Sequence, residues 1–161
     1  MSREIVARPL TAEAFAGFGD VLDTARGSDF LINEGLCGRH HDRAQLAFGD
    51  GRAGLSLFDA VPRALPYRFD LVERHPLGSQ AFVPMCLCSF LVIVAPDTGG
   101  RPGDPLAFLT APGQAVNLHR GTWHGVLTPL EAPGLFAVVD RVGEGENLEE
   151  YRYEAPWTVI R

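Results

Sequence analysis

A chain of 161 residues, 46% hydrophobic and 21% charged, is sized for one folded domain over residues 1–161 and is too apolar for a disordered polymer. All 14 basic residues are arginine against 20 acidic ones, a net charge of −6. That balance excludes nucleic-acid binding through a basic surface, and the absence of lysine excludes a Schiff base or a phosphate loop closed by lysine.

The first ten residues carry Arg3, Glu4 and Arg8 and no long apolar run, so no signal peptide or membrane span is expected there. Thr11 reads as the N-cap of one short helix over 12–16, stopped by Gly17 or Gly19, with Phe15 and Phe18 on its inward face. After it come short apolar runs separated by Gly and Pro, which predict strands. They are expected near 21–22, 44–48, 54–59, 67–75, 80–84, 90–95, 105–109, 115–118, 124–128 and 135–141. Asp50-Gly51 is a hairpin cue, and the acidic stretch 143–150 reads as a surface loop or short helix. Trp157, Val159 and Ile160 make the tail apolar, suited to packing on the barrel or on a second subunit. Ten strands and one helix predict an all-β barrel or sandwich, and such barrels hold small ligands in the mouth.

Cys37, Cys86 and Cys88 are an odd number of cysteines and point to a reducing cytoplasm. Cys86-Leu87-Cys88 lacks a second pair to complete a thiolate metal site and reads as small residues at a strand end. No nucleophile elbow or local cysteine signature is present.

The histidines are more informative. His75 and Gln80 flank the turn Pro76-Leu77-Gly78, and His119 and His124 flank Arg120-Gly121. Five positions apart on one straight strand, two side chains face opposite ways. A tight turn between them lets both enter one pocket. Two such turns facing one another would gather His75, Gln80, His119 and His124 as ligands for a divalent metal, or as acid and base for a substrate. The bland alternative is four polar residues beside surface turns. Arg74 and Arg141 sit at strand ends and are either solvated charges or a clamp for a carboxylate.

Glu73 to Met85 (ERHPLGSQAFVPM), the run Phe90 to Pro96, and Val116 to His124 (VNLHRGTWH) together resemble the ureidoglycolate lyase family. So do Asn33-x-Gly35, Arg39 with His41-Asp42, and Asp140-Arg141. The resemblance runs from about Pro9 to about Tyr151. It implies a cupin-like double-stranded β-helix barrel, a homodimer, and cleavage of ureidoglycolate to glyoxylate and urea in allantoin (purine) degradation. It also implies a divalent metal, nickel in bacterial members, and adds Asn33 and Asp140 to Arg74 and Arg141 as substrate-binding residues. In the wider cupin pattern a Glu is common where Gln80 stands, and here only one His lies in the first motif. A metal-dependent cupin oxygenase or isomerase, and a non-catalytic cupin that binds a small carboxylate, are the rival readings.

Overall fold

Phe90 to Ala95 is a run of six apolar residues with no polar partner to alternate with, so a strand made from it must be buried on both faces. The computed structural model, which describes residues 3–161, places that strand between two cores. In chain order the elements are β1 (Arg3–Val6), β2 (Arg8–Pro9), α1 (Ala12–Phe15), β3 (Gly19–Leu22), β4 (Phe30–Ile32), β5 (Cys37–Arg39), β6 (Arg52–Asp59) and β7 (Tyr67–Arg74). There follow β8 (Gln80–Pro84), β9 (Phe90–Ala95), β10 (Leu106–Leu109), β11 (Ala115–Leu118), β12 (Trp123–His124), β13 (Thr128–Pro129), β14 (Leu135–Val142) and β15 (Glu149–Ile160).

The large sheet runs β1-β15-β7-β12-β9-β10-β2, with β13 also on β9, and the smaller sheet runs β3-β11-β8-β14-β6. β1 and β2 lie at opposite ends of the large sheet, yet only Ala7 separates them in the chain. The sheet must therefore curl until its ends approach, and β1 does touch β10. The result is a nearly closed, cupin-like β-barrel.

Strand alternation sorts the cores. Phe90, Val92 and Val94 join Phe82, Val116, Leu118, Phe136 and Val138 between the two sheets. Leu91, Ile93 and Ala95 join Phe69, Trp123, Trp157 and Val159 on the other side. Burial of a large apolar side chain contributes roughly 1.5–3 kcal/mol, so the two-sided strand β9 is the main wall of the molecule. Helix α1 begins where expected, with the Thr11 hydroxyl accepting from the Ala14 amide, and it buries Phe15 against Phe108.

Two expectations are corrected, and one open alternative is decided. Residues 44–48 form no strand, because their backbone bonds go to side chains: Gln45 N to Asp20 and Ala47 N to the Ser79 hydroxyl. The tail packs on the barrel, one of its two expected placements. It is β15, paired with β7 and β1, with Trp157 and Val159 buried in this chain's own core. Cys86 and Cys88 are joined as a disulfide in the turn after β8 rather than standing as separate small residues. The hairpin β4–β5, absent from the sequence reading, lies outside both sheets with every residue exposed. No helix of the described residues is long and apolar enough to cross a membrane.

Candidate active site

The site forms where the chain crosses between sheets. From β7 it passes through Pro76-Leu77-Gly78 into β8 of the smaller sheet, and from β11 through Arg120-Gly121 into β12 of the large one. On the inner face of β7, Glu73 lies opposite His124 of β12. On the inner face of β8, Gln80 lies opposite Asp140 of β14. The crossovers bring these residues together between the sheets.

The His75 and His124 rings are 5.2 Å apart between centroids. One ligand atom each from Glu73, His75 and His124 lies within 4.8 Å of the others. His75 Nε2 is 3.1 Å from Gln80 Oε1, and Gln80 Nε2 donates to Asp140 Oδ2 at 3.1 Å. Of the four residues expected to share a pocket, the structure gathers three.

Tautomers follow from the partners. His75 Nδ1 is 2.7 Å from the Asn147 carbonyl and His124 Nδ1 is 2.9 Å from the Gly125 carbonyl. A carbonyl only accepts, so each Nδ1 carries the hydrogen and, in the neutral ring, each Nε2 presents a lone pair. That is the arrangement that orients a metal-binding imidazole. His124 is 2% exposed, and its Nε2 has no partner at all. Burial, aided by the nearby His75 and opposed by the Gly125 bond, pushes the His124 pKa down to about 4, so the ring is neutral near pH 7. Burial raises the Glu73 pKa above its ordinary value; His75 opposes the shift and Glu150 adds to it.

The remaining candidates lie elsewhere, for reasons of parity. Val116 and Leu118 point inward on β11, so Asn117 and His119 point outward. His119 Nε2 is 3.0 Å from Asp20 Oδ2, an electrostatic contact rather than an aligned hydrogen bond, in an outer groove also lined by Asp23, Arg26 and Arg43. Val138 and Asp140 point inward on β14, so Arg141 points away. Its buried guanidinium binds Asp50 at 2.6 Å and the carbonyls of Phe48 and Glu144, pinning two loops. Arg74 stacks on Trp123, 4.4 Å from the ring centroid, and pairs with Glu149 and Asp97. Asn33 occupies the exposed tip of the β4–β5 hairpin with a left-handed backbone (φ 55°). Neither arginine of the expected carboxylate clamp is therefore among the contacts of the cluster.

Glu73 was missed among the candidates. The signal was there: Glu73 and His75 are two apart at a strand end, the spacing that puts two side chains on one face.

The model of the family described as ureidoglycolate lyase matches residues 2–160. A ureidoglycolate lyase of Rhodobacter capsulatus is 60% identical over 156 residues, 96% of this chain and 97% of that protein. One from Chelativorans sp. is 51% identical over 159 residues, 98% and 96% of the two chains. Ureidoglycolate lyase 2 of Rhizobium meliloti is 49% identical over 154 residues, 94% of each. With matches that span nearly the whole chain and a barrel that agrees with them, this chain belongs to the ureidoglycolate lyase family.

Proposed function

We propose that the chain is a ureidoglycolate lyase, a single-domain enzyme that releases urea and glyoxylate from ureidoglycolate at the Glu73–His75–Gln80–His124 cluster. The observation that carries the site is its polarity. Glu73, His75 Nε2, His124 Nε2, Gln80 Oε1 and Asp140 are all acceptors, and one of them, His124 Nε2, is buried without a partner. A substrate carboxylate cannot enter such a set unless a cation is present. The donor set, imidazole nitrogens with carboxylate and amide oxygens, suits a divalent first-row metal, nickel included.

Bound there by Glu73, His75, Gln80 and His124, a divalent cation supplies Lewis acidity for the substrate carboxylate and the developing oxyanion. The elimination breaks the hydroxyl O–H and the C–N bond, forms the aldehyde C=O, and delivers a proton to the departing nitrogen; neither water nor a redox partner is consumed. Neutral His124 is a lone-pair donor and not an acid. Glu73 has two oxygens, so one can hold the cation while the other accepts the hydroxyl proton and passes it on to the urea nitrogen. Apolar neighbours of His124, among them Phe82, Val116, Leu118 and Leu127, keep the deep side of the cluster dry.

Purified protein given ureidoglycolate should yield urea and glyoxylate in equal amounts without oxygen uptake. Chelation should stop turnover and a divalent metal should restore it. Oxygen consumption, or ligand binding with no product, would favour the rival cupin chemistries, and chelator-resistant turnover would remove the metal from the proposal.

A homodimer is proposed from a different face. Leu55 and Leu57 of β6 and Val83 of β8 are exposed on the outside of the smaller sheet, with Met85 just beyond; Leu57 and Val83 flank Ala137. Contiguous apolar surface of this kind marks association sites, and a standard interface buries on the order of 1,600 Å². Light scattering should give a dimer, and Leu57→Asp should give a monomer. A cytoplasmic location is proposed from the metabolic role, and the Cys86–Cys88 bridge is the feature a reducing compartment would open.

A further inference from the structure

Gln80 sits between two groups that dictate which way its amide points. Gln80 and Asp140 are directly opposite one another on β8 and β14, both facing inward, and Gln80 is 5% exposed. An amide is two-ended, with a donor on nitrogen and an acceptor on oxygen, and the ends are nearly equal in shape. A carboxylate only accepts. Asp140 Oδ2, 3.1 Å away, therefore takes the nitrogen end and forces Oε1 toward His75. At the other end of the row the Asn147 carbonyl, also only an acceptor, takes the Nδ1 hydrogen of His75. The row Asp140–Gln80–His75–Asn147 is thus anchored at both ends by acceptors. In its middle Oε1 and the Nε2 lone pair are left facing each other at 3.1 Å, which is unfavourable unless a cation or proton joins them.

We propose that Asp140 is a positioning residue. It holds the Gln80 amide with the oxygen toward His75 and so makes Gln80 a cation ligand, although Asp140 itself touches neither cation nor substrate. The inference rests on the proposed metal site and gives Asp140 a role other than substrate binding.

The test uses the full-length, chelator-treated protein and Ni²⁺ alone, titrated by calorimetry, with thermal melting to verify folding. Asp140→Asn keeps the shape but lets the amide pair either way round. Losing an outer partner of this kind typically weakens metal affinity 10–100-fold, so a loss of about tenfold is expected. The Gln80→Glu background reverses the sign. A carboxylate at position 80 has equivalent oxygens and needs no orienting, and Asp140 now repels it. There Asp140→Asn should hold or raise Ni²⁺ affinity. Equal losses in both backgrounds would make Asp140 a general structural residue and overturn the proposal, as would unchanged affinity in the parent background. A readout without metal is the exchange of the Gln80 side-chain amide protons, slow in the parent and fast in Asp140→Leu; equal exchange in both also overturns it. Failure of the underlying site is separately visible, because His75→Ala and His124→Ala would then leave Ni²⁺ binding unchanged.

Discussion

His119 and His124 flank one turn, five residues apart, and have opposite fates. His124 is dry, hydrogen-bonded through Nδ1 to a carbonyl, and has a bare Nε2 aimed among other acceptors. His119 is part-exposed in an outer groove beside Asp20, whose carboxylate also receives Asn117 Nδ2 and the Gln45 amide. Burial works against the Asp20 charge, but the bonds from Asn117 and Gln45, with the nearby His119, outweigh it and hold the pKa below its ordinary value. Strand parity separates the two histidines. The chain leaves β11 with odd-numbered residues outward and enters β12 of the other sheet with His124 inward. Two identical side chains near in sequence thus become a buried lone-pair donor in an acceptor cluster and a part-exposed partner of Asp20.

Removing the inner ring should have the largest effect. His124→Ala is expected to keep the fold and lower urea release by roughly 10²–10⁴-fold, the range for loss of one positioned catalytic group. Turnover and melting temperature are to be measured on one sample. An early melt with parent turnover per folded molecule would make His124 structural and erase the contrast with His119.

The contrast also has a pH signature in the metal-free protein. Unfolded, the His124 ring takes a proton below about 6.5; folded, only below about 4. Between those values the unfolded chain holds more protons, so stability is full above 6.5, falls as pH falls through the window, and levels off below 4. At 1.4 kcal/mol per pH unit, about 3 kcal/mol is at stake. Glu73 acts in the other sense. Its raised pKa gives a contribution that is present below its ordinary 4.5 and lost as pH rises through the folded value. Urea unfolding between pH 4 and 7.5 should therefore show a positive slope that His124→Asn abolishes or reverses. An unchanged slope would mean that His124 is not buried neutral.

These histidines also show what the sequence could reveal. Turn-flanking pairs were a sound signal for His75, Gln80 and His124, because both turns are crossovers into the same interior. His119 and Arg141 part from that group by one residue of register: each follows a position whose side chain faces inward, Leu118 and Asp140, and so points outward. Parity was readable from the apolar residues Val116, Leu118, Phe136 and Val138, and the same count would have added Glu73. The long strand β15 was hidden for another reason. Its bulge between Arg152 and Trp157, with Pro156 inside it, breaks the alternation that announces a strand.

Within the outer groove Asp20 should matter more than His119. Asp20→Ala takes one acceptor from the fully buried Asn117 Nδ2, which keeps its bond to the Gln45 carbonyl, and leaves the exposed Gln45 amide to solvent; a lost hydrogen bond of this kind costs about 0.5–1.5 kcal/mol. Denaturant midpoints should fall accordingly while turnover per folded molecule stays at the parent value. A turnover loss in proportion to the His124 variant would join groove and barrel into one site.

The smallest effect is expected from His119→Ala. The ring is about one-third exposed, and its contact with Asp20 is an ion pair only when His119 is protonated. A solvent-screened pair of this kind contributes roughly 0–1 kcal/mol. Asp20 keeps its two hydrogen-bonded partners after the truncation, and the backbone bond from His119 N to Phe18 O survives it. Melting should shift by a few degrees at most, with Ni²⁺ affinity and urea release within about twofold of the parent, since no link of the Asp140–Gln80–His75–Asn147 row passes through position 119. Measuring both histidine variants in one titration series makes the comparison quantitative. If His119→Ala weakened Ni²⁺ binding as much as His124→Ala, the two rings would have to meet in solution, and the separation imposed by strand parity would be wrong.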